Sequence, residues 1–320
     1  MRRSDHDVCN EVKTTDAEAV GMEVTRIYLA LYGMRRATVM RQAFDEIARL
    51  YRGDHPAFHP CDTGYHDIQH VLDVALAMAR LMDGYERSRY NGTPPLPPEI
   101  FTLGIIAALF HDVGYLRRRN DRTHRYGAEY TLSHVSRGVT VLRRYLERLG
   151  MHRVSSVAAP LLHFTGYERA AKTIRLSDRL LRRLGEMLGT ADILAQMSDR
   201  CYLEKCRDRL YPEFVLGGLT TKKLADGREQ TVYASGDELV RCTPAFYRGA
   251  LERLENTLGR AYQYAEYHFD RQNVYFEEMQ KNIRFAESMV RDSTRETLRR
   301  LPPWTLVPGV TPYPESLAGC

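Results

Sequence analysis

The chain has 320 residues, of which 43% are hydrophobic and 27% charged, and its 46 basic and 41 acidic residues leave a net charge of +5. Those proportions describe a globule able to bury a sizeable core and exclude a small disulfide-stapled scaffold. So small a positive excess suits an anionic small molecule but gives no argument for binding a nucleic-acid polymer.

The N-terminal stretch MRRSDHDVCNEVK lacks an apolar run, and residues 1–16 are expected to be disordered, with the His6-Asp7 pair inert. Helical periodicity follows over about 17–33 and 36–52. Pro56, Pro60 and Gly64 break residues 54–64 into a loop. From Tyr65 to Gly84 the apolar residues Ile68, Val71, Leu72, Ala75 and Met78 recur at helical spacing. NGTPPLPP at 91–98 is a clear break. Pro98 then opens an apolar helix to about Val113, with Gly114 as the expected C-terminal cap. A basic connector, RRRNDRTHR, covers 117–125. Further helices are expected over 127–149, 152–164, 177–198, 200–216, 243–268 and 272–300, with a loop and a short hairpin within 217–236. The last twenty residues hold five prolines and read as an irregular tail.

The fold class is therefore all-α. One domain is expected over 17–218, then a loop at 219–240, helices packed on the domain over 241–300, and the tail at 301–320. No segment approaches the ~20 apolar residues of a membrane span. The six cysteines form no CxxC pair, so they read as reduced thiols of a cytoplasmic protein.

Three segments carry chemistry. In Tyr65-His66-Asp67-Ile68-Gln69-His70, two histidines stand four apart on a predicted helix and so share a face. In Phe110-His111-Asp112-Val113, a polar pair ends a strongly apolar helix, where it costs core packing unless a partner or a metal satisfies it. Asp192 lies in the otherwise apolar Ala191-Asp192-Ile193-Leu194, with the same implication. Two imidazoles and two carboxylates suit one hard or borderline divalent cation, and the second oxygen of Asp112 could bridge another. Taken singly, a helical histidine is more often structural than a ligand; order, spacing and flanking apolarity together change that balance.

The segments resemble the HD-domain metal-dependent phosphohydrolase superfamily, whose order is a histidine, an adjacent His-Asp pair and a distant aspartate. The resemblance spans roughly residues 60–218 and assigns His70, His111, Asp112 and Asp192 as metal ligands. Tyr65-His66-Asp67-x-x-His70-x-x-Asp73-Val74 is similar to the Tyr-His-Asn-x-x-His-x-x-Asp-Val signature of the class I cyclic-nucleotide phosphodiesterases, although the whole pattern is nearer to bacterial HD-domain proteins. That likeness implies a metal-activated hydroxide attacking phosphorus, with His66 as general acid. It departs from the signature at Asp67, and at Gly217, where the phosphodiesterases carry the glutamine that reads a purine edge.

Candidates for a second metal, or for residues that hold a ligand or a water, are His163 first, then His124, His134 and Glu129. Arg118 and Arg119 are candidate phosphate contacts, because arginine binds phosphate bidentately. The cofactor is one or two divalent ions, with Mg, Mn, Fe and Zn not distinguished. The partner is a small phosphoester, with a nucleotide among the open choices; no membrane is expected. Alternative readings are a nucleotidase or other phosphomonoesterase, a di-iron oxygenase of HD type, and a regulatory metal- or nucleotide-binding HD module without turnover.

Overall fold

A computed structural model describes residues 2–33, 37–166, 168–224, 226–291 and 298–317. In chain order the helices are α1 (Ala17–Tyr32), α2 (Thr38–Arg52), α3 (Ile68–Arg87), α4 (Pro98–Phe110), α5 (His134–Arg148), α6 (His152–Ser155), α7 (Ala158–Leu162), α8 (Arg179–Ser198), α9 (Tyr202–Lys205), α10 (Tyr211–Leu216), α11 (Gly236–Asn256), α12 (Tyr264–His268) and α13 (Val274–Arg291). The expected helix 272–300 thus ends at Arg291, and its stretch 292–297 lies outside the described residues. The expected helix over 200–216 is continuous but contains a π turn, Cys206–Leu210, between α9 and α10. The only strands among the described residues are Thr221–Lys223 (β1) and Glu229–Thr231 (β2), an exposed antiparallel hairpin with Thr221 opposite Thr231. The protein is all-α.

Local chemistry sets the helix starts. Asp16 caps α1 through the amides of Glu18 and Ala19, and Asp178 caps α8 through Leu180 and Leu181. Ser235 caps α11 by accepting from the amide of Glu238, whose carboxylate accepts in turn from the amide of Ala234. Proline at the first position opens α4, where its missing amide hydrogen costs nothing.

α3 is the central helix, packed on α1, α4, α8 and α12, while α13 lies along α8 and against α11. α4 is apolar on every face and entirely buried from Phe101 to Phe110, so it forms the middle of the core rather than a surface layer. The aromatic-rich stretch from Ala261 to Phe276 contributes core: Tyr262 and Tyr275 are buried, and Tyr264 crosses α3 at Gly84. A side chain at Gly84 would meet the carbonyl oxygen of Tyr264 at 1.8 Å, so the close crossing requires glycine.

Two expectations are corrected. Residues 2–16 are not a disordered tail. They fold against α3 without helical periodicity, and Asp7 is buried in an ion pair with the equally buried Arg80 at 2.5 Å. Gly114 does not cap α4. It sits in a 3-10 turn, Val113–Tyr115, where α5 comes so near that an added Cβ would lie 1.8 Å from the carbonyl oxygen of His134. No helix of the described residues is long and apolar enough to cross a membrane.

Candidate metal centre

Four elements bring the polar residues to one buried point. His70 lies in the first turn of α3, whose N-cap Asp67 accepts the His70 amide at 3.0 Å. His111 ends α4 and Asp112 follows it at the start of the 3-10 turn. Asp192 projects from within α8, and His134 opens α5. The Nε2 atoms of His70 and His111 are 3.3 Å apart. Asp112 Oδ2 lies 3.1 Å from His111 Nε2 and 3.3 Å from His70 Nε2. Asp192 Oδ1 lies 3.3 Å from His70 Nε2 and 3.9 Å from His111 Nε2. The donor atoms of His70, His111 and Asp112 all fall within 4.8 Å of one another.

The imidazoles are oriented from behind. His111 Nδ1 faces the carbonyl of Ala108 at 2.7 Å, and His134 Nδ1 faces the carbonyl of Thr131 at 2.7 Å. A carbonyl only accepts, so each Nδ1 carries the proton and each Nε2 presents a lone pair. Both lone pairs point at Asp112, whose Oδ1 is 3.5 Å from His134 Nε2. Its Oδ2 is buried without a hydrogen-bond partner. Lone pairs of imidazole and carboxylate converging on one buried point repel one another unless a cation stands between them. The residues therefore fit a divalent ion. Burial resists charging His70, but the nearby carboxylates of Asp112 and Asp192 outweigh that and raise its pKa to about 10. Burial likewise opposes the ionised form of Asp112, yet the neighbouring His111 and His70 hold its carboxyl well below the usual range.

His66 joins the site by a different route from the one its spacing suggests. It is not on the helix with His70. Asp67 breaks the periodicity by capping α3, so His66 lies one residue before the cap. Glu213 on α10 fixes it instead: its carboxylate accepts from the amide of Tyr65 at 2.6 Å and stands 2.5 Å from His66 Nδ1. Glu213 is wholly buried, and His66 stacks on Tyr115 at 4.4 Å. Burial disfavours the charged imidazole, but the Glu213 carboxylate outweighs it and raises the pKa of His66.

Of the secondary candidates, only His134 reaches the cluster. His163 is buried with its Nδ1 unpartnered and falls outside the group of converging donor atoms. It ends α7 rather than entering the cluster, because α7 packs on α5 and α8 from outside. His124 stays on the basic connector, tilted on Tyr130 at 4.2 Å. The Glu129 carboxylate accepts from the amides of Arg125 and Tyr126 and so closes a 3-10 turn, Gly127–Tyr130. The connector arginines turn away from the site: Arg117 pairs with Asp62, Arg119 donates to the carbonyl of Gly53, and Arg118 lines a separate groove with Phe58 and Phe110. Gly217 ends α10, where any side chain would meet Thr131 Oγ1 at 2.7 Å. Close packing, rather than a lost reading function, accounts for that glycine.

A cavity of about 440 Å³ opens over the cluster, a volume within the range of small-molecule sites. His66, His70, Asp112, His134 and Asp192 form its floor.

The fold and the convergent donors define an all-α protein with a site of the kind that holds a divalent metal. Residues 67–202 match the family model for the HD domain, which supports the resemblance to the HD-domain metal-dependent phosphohydrolase superfamily. An HD domain implies metal-dependent phosphohydrolase chemistry in general terms. No curated protein and no solved structure matches the chain at significant similarity.

Proposed function

We propose that this protein hydrolyses a small-molecule phosphate ester in a phosphodiesterase-like manner, with His70, His111, Asp112 and Asp192 as metal ligands and His66 as general acid. The observation that carries the reading is the convergence of lone pairs on Asp112, which lies beside a histidine held separately by its own buried carboxylate. A purely structural metal site would need no such histidine.

A divalent ion held there supplies Lewis acidity toward the phosphoryl oxygens and lowers the pKa of a water. Asp112 presents one oxygen toward His70 and His111 and the other toward His134, an arrangement suited to bridging two ions. His134, rather than His163, is therefore the histidine assigned to the second ion. Glu213 occupies Nδ1 of His66, leaving Nε2 as the nitrogen available to the cavity. As the water oxygen joins phosphorus and the ester P–O bond breaks, the departing oxygen takes its proton from His66 Nε2. The neighbouring charge of Glu213 stabilises the imidazolium that donates it.

The test is hydrolysis of a panel of phosphomonoesters and phosphodiesters by the full chain loaded with Mn²⁺ or Mg²⁺. Metal-dependent release of alcohol, lost in His66→Ala with metal content retained, supports the assignment. Metal-loaded protein that cleaves no ester, or a His66→Ala variant as active as the wild type, counts against it.

A further inference from the structure

The half of the cavity that faces the cluster comes from elements outside the matched residues. Phe214 on α10, Leu219 and Tyr233 around the hairpin, and Leu239, Cys242 and Phe246 on α11 form a largely apolar wall. The polar side chains that line the rest of the cavity bond to the protein itself. Thr131, Thr165 and Thr243 each donate to a carbonyl three residues earlier, at 2.6, 2.9 and 2.6 Å. Gln196 has both arms engaged: its amide nitrogen faces Asp192 Oδ1 at 3.4 Å and its oxygen accepts from Tyr65 at 3.1 Å. It therefore presents no amide fork to a base edge. Arg253, the cationic side chain of the lining, donates to the carbonyls of Phe164 and Gly166 at 2.6 and 3.2 Å. Glu168 lines the same side and adds negative charge.

Reading a base takes paired donors and acceptors, and a chain of phosphates takes several free cations. This wall offers apolar area instead. Resting on the phosphoester reading above, we infer that the natural substrate carries a single phosphate on an apolar alkyl or aryl group, which Phe214, Leu239 and Phe246 enclose. Nucleotides and polyphosphates are poor ligands, because the described lining residues offer little to pair with base edges or additional phosphates. The inference narrows the open choice of partner to a non-nucleotide ester.

The experiment separates binding from turnover. Alkylphosphonates from methyl to octyl resist hydrolysis and are titrated by calorimetry into metal-loaded full-length protein, beside AMP and ATP. Affinity is expected to rise about fourfold per methylene until the wall is filled, the equivalent of the ~0.8 kcal/mol that a buried methylene contributes. The octyl compound should bind better than either nucleotide, and Phe246→Ser should weaken it about tenfold. Phe246 is 42% exposed, so the substitution should leave the fold intact. A flat dependence on chain length, or tighter binding of a nucleotide, overturns the inference. The matching alkyl and aryl phosphate esters are assayed in parallel. A retained binding gradient without hydrolysis of any ester leaves the apolar subsite standing and refutes the hydrolase reading.

Discussion

Replacing Glu213 by glutamine tests the acid role of His66 without dismantling the site. The substitution keeps an acceptor for the amide of Tyr65, which donates to Glu213 Oε1 at 2.6 Å, so the turn before α3 should hold. What it removes is a buried negative charge 2.5 Å from His66 Nδ1. Two unit charges about 4 Å apart interact by roughly 4 kcal/mol at an effective dielectric of about 20. His66 is mostly buried, its side chain 16% exposed, so most of that support is felt by the imidazolium. Without it, burial opposes the charged ring and only the charge of Asp112 offsets it, so the neutral form is favoured. The pH above which the protonated acid is lost should then move down, because a group with a raised pKa loses its proton later than an unassisted one. At neutral pH the rate should fall by about 10²–10⁴, the usual contribution of a general acid. The assay is the pH profile of kcat/KM for an alkyl ester, which needs its leaving oxygen protonated, and for a p-nitrophenyl ester, which needs it far less. The alkyl ester should lose most of its rate and the p-nitrophenyl ester little. Equal losses for the two leaving groups, or an unmoved basic limb of the profile, would refute the assignment of His66 as the acid held by Glu213.

Three further perturbations probe the scaffold. Asp7→Ala strands Arg80, which is 2% exposed, and should cost about 3–5 kcal/mol in urea unfolding at pH 7. Burial tends to raise the Asp7 pKa but Arg80 holds it below the usual 3.8, so the advantage of the wild type over Asp7→Asn should be full above that value and fade as pH falls through the lower native one. Gly114→Ala should push α5 and His134 outward, with a loss of about 1–3 kcal/mol in thermal unfolding; unchanged stability would show that the turn yields without displacing α5. Thr305→Val removes a hydroxyl that donates to Asp67 Oδ2 at 2.5 Å and so ties the C-terminal segment to the cap of α3. It should destabilise by about 1.5–3 kcal/mol, and a change within about 0.5 kcal/mol would show that Arg209, 3.6 Å from Asp67, suffices alone.

Much of the fold was legible because helices announce themselves through local spacing. The run from Pro98 to Phe110 and the pattern from Ile68 onward place α4 and α3 without any knowledge of their partners. The cluster was legible for a related reason: polar residues in apolar helices need a partner, and His111, Asp112 and Asp192 stood out on that ground. The same logic extends to Glu213, a carboxylate between Pro212 and Phe214 in an otherwise apolar turn. Periodicity misplaced His66, because Asp67 prefers capping to continuing the helix, a choice that spacing does not record. Flanking sequence does not tell His163 from His134, because reach depends on how closely α5 approaches Gly114. The pairing of Asp7 with Arg80 joins residues far apart in sequence, and no local pattern marks it.

The central claim is most directly tested by counting divalent ions in the purified full chain beside its Asp112→Asn variant, which keeps the side chain's shape and removes the charge on which the lone pairs of His70, His111 and His134 converge. After equilibration with Mn²⁺ and removal of free metal, the wild type should retain one or two ions per chain, and Asp112→Asn should retain few or none while unfolding at a similar temperature without metal. A wild type that holds no ion, or a variant that holds as many, would contradict the assignment of this cluster as the metal centre.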